Sequence, residues 1–249
     1  MRLRLLRHAT LVLEIAGTRV LVDPMLGPAG SQPPVANTAN PRPNPLVDLP
    51  VAAGDAVDGV HAAIVSHLHG DHVDRAGLAA LAGVPLYAQP GDAAALPGQV
   101  TEIADEAEIG AVRVRRTGGR HGTGDIGAAM GHVSGFVFSA EGEPTLYVAG
   151  DTVWCDEVRD AIAAHRPDVI VVNAGAARFL EGDPITMDVP DVLAVCEAAP
   201  EAVVVAVHME AVNHCGLLRD DLRTAVDAAG VGERVVIPAD GETLRLAFD

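Results

Sequence analysis

The chain opens with three short runs in which aliphatic residues recur at β-type spacing: "LRLL", "TLVLEI" and "RVLVD". Ala16-Gly17-Thr18 between the last two is a turn signal, so the spacing predicts an antiparallel meander. The pattern then stops. Residues 24–50, "PMLGPAGSQPPVANTANPRPNPLVDLP", hold eight prolines and no apolar periodicity. This predicts a long loop, and loops of that length inside compact domains are functional lids or disordered. Only two dozen residues precede it, too few for a domain, so a linker is the weaker reading. "HAAIVSH" reads as a buried strand and "DRAGLAALAG" as the helix after it. Further strands are predicted at "VPLYA", "VRVRRT", "VSGFVFSA" and "TLYVAGD", with "EGEP" turning between the last two. From there helix and strand patterns alternate: "DEVRDAIAAHR", "DVIVVNAG", "VPDVLAVCEAA", "AVVVAVH", "RDDLRTAVDAAG", "RVVIPADG" and "TLRLAF". With no short repeat, the order predicts one α/β domain over 1–249, two sheets face to face with helices outside.

Composition narrows the chemistry. Of 249 residues 49% are apolar but only 3% aromatic, so Ala, Val and Leu must fill the core. All 17 basic residues are arginine, which excludes a Schiff-base lysine and a P-loop lysine. A net charge of −17 repels phosphate backbones, so nucleic acid is not an expected partner, although a local arginine patch could hold one phosphate. The basic start "MRLRLLRHATLVLEIAG" is interrupted by Arg7, His8 and Glu14, unlike a signal peptide, and no apolar run approaches the roughly 20 residues that span a bilayer. Cys155, Cys196 and Cys215 are too few and scattered for a disulfide framework and read as buried fillers. These features predict a cytoplasmic protein without a membrane partner; homo-oligomerisation stays open.

The chemistry concentrates in "SHLHGDHVD", which puts three of ten histidines and two carboxylates into nine residues. Three further polar signals share its placement directly or shortly after an apolar strand-like run: His121 after "VRVRRT", Asp151 after "TLYVAG" and His208 after "VVVAV". Strand ends at one sheet edge are where α/β folds gather ligand sites, so the four segments are predicted to form one pocket. Imidazole and carboxylate suit zinc, manganese or iron, and no Cys-x-x-C pair offers a thiolate site. His67 and His69 can reach one ion from one side of an extended segment, while Asp71 and His72 face a second. Seven ligands exceed one tetrahedral zinc, which implies two divalent metal ions, zinc first and manganese or iron as alternatives.

The His-x-His-x-Asp-His order, a later histidine, Gly150-Asp151-Thr152 and a late strand-end histidine resemble the metallo-β-lactamase superfamily. The likeness is to its metal-dependent hydrolase branch, similar to ascorbate-6-phosphate lactonase and N-acylphosphatidylethanolamine phospholipase D, and runs from "HATLVLE" and "VLVDP" to "VVAVH". The resemblance implies a four-layer αββα sandwich with both metals at one edge of the paired sheets. It implies that His67, His69 and His121 hold the first metal, Asp71, His72 and His208 the second, and that Asp151 bridges them. Aspartate stands at 151 where β-lactam-hydrolysing members carry cysteine, which puts β-lactam cleavage in doubt. His132 competes with His121 as the third-motif ligand, and position favours His121. His8 and Asp23 are candidates for supporting the ligands from behind, and Arg178 for holding a substrate anion.

Two cations sharing a water bring its pKa towards neutrality, so a metal-bridging hydroxide can attack without a serine or cysteine nucleophile. Asp71 and His214 are the candidate catalytic residues, His214 as the general acid near the second metal. The expected function is a dinuclear metal-dependent hydrolase acting on a small ester, lactone or phosphodiester. An iron-binding redox protein on the same fold and a non-catalytic metal-binding protein are the alternatives.

Overall fold

A computed structural model describes residues 1–247. The first half builds β1 (Arg2–Arg7), β2 (Thr10–Ile15), β3 (Thr18–Val22), α1 (Ala53–Val57), β4 (Ala62–Val65), α2 (Arg75–Ala80), β5 (Leu86–Ala88) and β6 (Val100–Glu102). The second builds β7 (Glu106–Ile109), β8 (Val112–Thr117), α3 (Gly124–Met130), β9 (Gly135–Ser139), β10 (Leu146–Val148) and α4 (Asp156–His165). It continues through β11 (Val169–Asn173), α5 (Val189–Ala198), β12 (Val203–Val207), α6 (Arg219–Ala228), β13 (Val235–Val236) and β14 (Thr243–Arg245). They form two seven-stranded sheets, ordered β14-β1-β2-β3-β4-β5-β6 and β13-β12-β11-β10-β9-β8-β7.

Each sheet is antiparallel on one side and parallel on the other. The predicted meander β1-β2-β3 is antiparallel, and Ala16 (φ 46°) and Gly17 (φ 76°) turn it with two left-handed residues, the conformation a two-residue hairpin demands. From β3 to β6 the pairing is parallel, as it is from β10 to β13. Parallel strands are covered on both faces, which is why "AAIV", "VIVVN" and "VVVAV" read as unbroken apolar runs.

Three apolar clusters separate four layers. Between the sheets lie Leu3, Leu5, Leu11, Leu13, Val20 and Ile64 from one and Val114, Phe136, Phe138, Val148, Val171 and Val205 from the other, all buried. Outside the second sheet, Tyr147, Ile170, Val172 and Val204 pack against Val158 and Ile162 of α4, Val192 and Val195 of α5, and Leu222 and Val226 of α6. Outside the first, Leu6, Leu21, Ala63 and Val65 meet Ala56 of α1 and Leu81 just past α2. The expected αββα sandwich is the observed one. Among the described residues no helix is long and apolar enough to cross a membrane.

The topology decides where side chains can meet. β1, β3, β4, β8, β10 and β12 all run in one sense within their sheets, so their C-terminal ends share an edge. The residues just past them include His8, Asp23, His67, His121, Asp151 and His208.

Candidate metal centre

The buried strand β4 ends at Val65, and the next residues turn across the sheet edge. Asp23, just past β3, shapes that turn: its Oδ1 accepts from Ser66 N (2.7 Å) and its Oδ2 from Ser66 Oγ (2.8 Å). The same Oδ2 lies 2.7 Å from His72 Nδ1, which directs His72 Nε2 to the opposite side. His8, Asp23 and His208 all take left-handed backbone conformations (φ 59°, 49° and 65°). Such conformations cost a non-glycine residue about 1–3 kcal/mol each and gather where function requires them. His208 N donates to His8 O (2.9 Å), joining the two sheets at this edge.

The donor atoms fall into overlapping groups. His67, His69 and His121 converge, with His67 Nε2 at 3.0 Å and His121 Nε2 at 3.3 Å from His69 Nδ1. His8, Asp71, His72 and His208 form a second group, and His67, His72 and Asp151 a third. Asp151 stands between the first two. Its Oδ2 is 3.2 Å from His72 Nε2, 3.3 Å from His121 Nε2 and 3.9 Å from His67 Nε2, while its Oδ1 is 3.3 Å from His208 Nε2. The Nε2 atoms of His72 and His208 are buried and, though close to Asp151, are not aligned to bond it. Buried polar atoms rarely go without a partner, and an imidazole nitrogen in that state is a ligand atom left uncommitted. The donor set therefore fits divalent transition ions.

Electrostatics agree. Burial alone would drive the His72 imidazolium down, but Asp151 and Asp23 overcome it and push its pKa up to about 10. Burial would raise Asp71, yet His208 and His8 hold its carboxyl well below the usual carboxylate range. Asp151 is likewise held ionised, against burial, by His208, His72 and His121. Two ionised carboxylates in a buried setting need positive charge, which the raised His72 and His208 imidazoliums provide here and bound cations would provide once those imidazoles act as neutral ligands.

Of the residues expected from the sequence, His67, His69, Asp71, His72, His121, Asp151 and His208 are brought together. His214 Nε2 lies 4.0 Å from Asp71 Oδ2 at the pocket side of the second group. Burial lowers the His214 pKa, with Asp71 opposing it. His8 bonds Asp71 through Nε2 (3.2 Å) and its ring lies 3.6 Å from that of His208. His132 is exposed, outside the donor groups, and only its carbonyl is engaged, by Gln89 Nε2. Arg178 is exposed and does not line the pocket, so the anion-holding reading finds no geometric support.

Sequence reasoning missed two partners. Asn173, the last residue of β11, donates Nδ2 to Asp151 Oδ1 at 2.6 Å; a polar residue closing an apolar run beside β10 was the available signal. Cys215, read as a filler, sits with Sγ 3.6 Å from His208 Nδ1. Thr152 of the "GDT" motif accepts from Arg120 N (2.9 Å) and donates to Val153 O (2.8 Å), which fixes the segment bearing His121. His121 is further oriented by the Ile185 carbonyl, 2.8 Å from its Nδ1.

Above the donor groups lies a cavity of about 270 Å³. Met25, Pro33, Pro34, Val35, Met130, Phe179 and Ile185 give it apolar walls, Gln32 and Asn44 add amides, and His69, Asp71, His121 and His214 form its floor. No arginine lines it.

Residues 18–209 match the family model described as the beta-lactamase superfamily domain. The chain is 36% identical to the UPF0173 protein YddR of Bacillus subtilis, over 98% of this chain and 99% of that one. A crystal structure described as a possible metal-dependent hydrolase from Veillonella parvula superposes with a TM-score of 0.94 at 33% identity, covering 99% of each chain. The crystal structure of an isothiocyanate hydrolase from Delia radicum gut bacteria gives a TM-score of 0.91 at 36% identity, again over 99% of each. Sandwich, donor groups and comparisons agree: the chain belongs to the metallo-β-lactamase superfamily, among relatives described as metal-dependent hydrolases.

Proposed function

We propose that the chain is a dinuclear metal-dependent hydrolase of small, neutral, largely apolar molecules, with isothiocyanates as the first substrate class to test and esters and lactones next. The observation that carries the reading is Asp151, whose one carboxylate lies within 3.3 Å of His121 in the first donor group and of His72 and His208 in the second, beneath one small apolar cavity. His67, His69 and His121 would hold one divalent ion, Asp71, His72 and His208 the other, and Asp151 both. Zinc is the leading candidate for each, ahead of manganese and iron. Two such ions, if bound there, would supply a water acidic enough to act near neutral pH and would polarise the group under attack.

The cavity separates substrate classes. A phosphodiester carries a negative charge, and no arginine lines the walls to receive it. An isothiocyanate is neutral, narrow and apolar, with an electrophilic central carbon, and suits walls of Met25, Val35 and Phe179. The similarity to an isothiocyanate hydrolase extends over nearly the whole of both chains. The reaction balances as R–N=C=S + H2O giving R–NH2 + O=C=S. Water oxygen bonds to carbon, the carbon–nitrogen bond then breaks, and the amine nitrogen takes up the protons. Asp71, held ionised at the pocket floor, orients the attacking water. His214 faces the same floor, and its imidazole, which burial biases toward the neutral form, would take a proton from the attacking water and pass it to the departing nitrogen.

The test is turnover by metal-reconstituted protein on alkyl isothiocyanates, lactones, nitrophenyl esters and phosphodiesters. Isothiocyanate cleavage that disappears on chelation supports the reading. Metal-dependent turnover confined to phosphodiesters would overturn the substrate class, and metal-independent turnover the mechanism.

A further inference from the structure

The proline-rich segment 24–50, expected to be a lid or disordered, is fastened down by side chains that neighbour site histidines in sequence. Arg7, beside His8 and fully buried, donates to the carbonyls of Val47 (2.9 Å), Met25 (2.9 Å) and Gly27 (3.0 Å). Asp74, two residues past His72, accepts from Leu26 N (3.2 Å) and Gly27 N (2.7 Å).

Asn213, beside His214 and buried, makes the densest set. Its Oδ1 accepts from Val35 N (2.9 Å) and Asn44 Nδ2 (2.8 Å). Its Nδ2 donates towards Asn40 O (2.6 Å), Thr38 Oγ1 (2.7 Å) and Val35 O (3.1 Å), and its backbone N donates to Asn44 Oδ1 (2.9 Å). An asparagine amide has two N–H donors and two acceptor lone pairs, and all are engaged here. Within itself the segment has one β-bridge, Gln32 to Asn44, and turn bonds such as Gly30 N to Pro45 O (2.8 Å), while its attachment to the sheets runs through Arg7, Asp74 and Asn213. The opposite wall is tied to the same place: Arg178 N donates to His214 O (3.0 Å) and Leu180 N to Asn37 O (2.9 Å), on either side of Phe179.

We propose that Asn213 is a specificity-determining residue: it holds the wall of Pro33, Pro34 and Val35 at a fixed separation from His214 and Phe179, and so sets the width of substrate the pocket admits. The proposal rests on the pocket being the hydrolase site. Loss of the Nδ2 donors would leave the carbonyls of Val35 and Asn40 only the Thr38 hydroxyl to share, and the wall would move outward to find water.

Asn213→Asp keeps the shape and Oδ1 but removes both N–H donors, and Thr38→Val removes one partner without touching residues 213 and 214. For each, kcat and KM would be measured on a short linear and a bulky branched isothiocyanate, alongside bound metal and hydrogen exchange at the Leu180 amide, which bonds Asn37 O across the pocket from Asn213. The expected result for Asn213→Asp is unchanged metal, Leu180 protection lower by on the order of tenfold, the worth of one hydrogen bond, and a preference for the narrow substrate reduced by a similar factor, mostly through KM. Thr38→Val should shift the same way by less, and it carries the test should Asn213→Asp fail to fold. A uniform fall in kcat with the preference and Leu180 protection intact would overturn the proposal. A wild type inactive on both substrates would instead sink the isothiocyanate reading, and the clamp itself would still stand or fall on the exchange data.

Discussion

Asp151 is the residue through which the two donor groups communicate, because one small carboxylate faces His67 and His121 of the first group and His72 and His208 of the second. Asp151→Ala should therefore weaken both sites at once, dropping bound metal from near two ions per chain to less than one by elemental analysis. Retention of a full first ion would make Asp151 a ligand of one site only. Asn173 holds the orientation of that carboxylate from behind, so Asn173→Ala should lower metal affinity by about 10- to 100-fold without abolishing it, read by competition with a chelating dye. His8→Ala, which frees Asp71, should fall in the same range. The two late histidines divide differently. His208→Ala should lose metal and activity together, whereas His214→Ala should keep its metal and turn over about 10²–10⁴-fold more slowly. With a nitrophenyl isothiocyanate, whose amine departs with less need of a proton, the His214 loss should shrink. An equal loss for both substrates would leave His214 as a positioning group, and loss of metal would make it a ligand.

At the scale of elements, the site exists because strand ends arrive at one edge, and the turns that follow them are built for it. Gly150 ends the β10 approach with φ 72°, and a Cβ there would stand 2.7 Å from Ser134 O. Gly150→Ala should destabilise by about 1–3 kcal/mol, a Tm loss of roughly 2–12 °C for a chain of this size, and disturb Asp151 beyond its thermal effect. A thermally normal variant with full metal would contradict that role. The apolar runs made most of this architecture legible: "TLVLEI" is β2 residue for residue, and "VVVAV" is β12. α1, α3, β6 and β7 were not legible, for physical reasons. α1 spans five residues with no side-chain cap, and α3, "GDIGAAM", carries two glycines. β7 alternates Glu106 and Glu108 outward, and these make sense only opposite Arg115 and Arg113 of β8, its cross-strand partners. The clustering of the seven candidate ligands was readable because four of them crowd one stretch and three close or follow apolar runs. Asn173, Cys215 and the walls of the cavity were not, since their contacts depend on which strands and loops become neighbours. The proline-rich segment was recognised as a loop, but the buried Arg7, Asp74 and Asn213 that hold it give no local signal of doing so.

For the molecule as a whole, the shared interlayer core predicts that both sheets unfold together as one folding unit. Calorimetry should show one cooperative transition, and two separated transitions would divide the chain into domains. Ions that bind only the folded state stabilise it, by about 2.7 kcal/mol for each site at a hundredfold excess over its Kd, so removing two with a strong chelator should lower Tm by roughly 11–22 °C. The central claim is a pair of ions acting together beneath one pocket, and it is tested most directly by titrating metal-free protein with zinc while following bound metal and isothiocyanate turnover in the same samples. The account predicts saturation at two ions per chain, with full activity reached only as the second site fills. Saturation at one ion, with activity already complete, would contradict it.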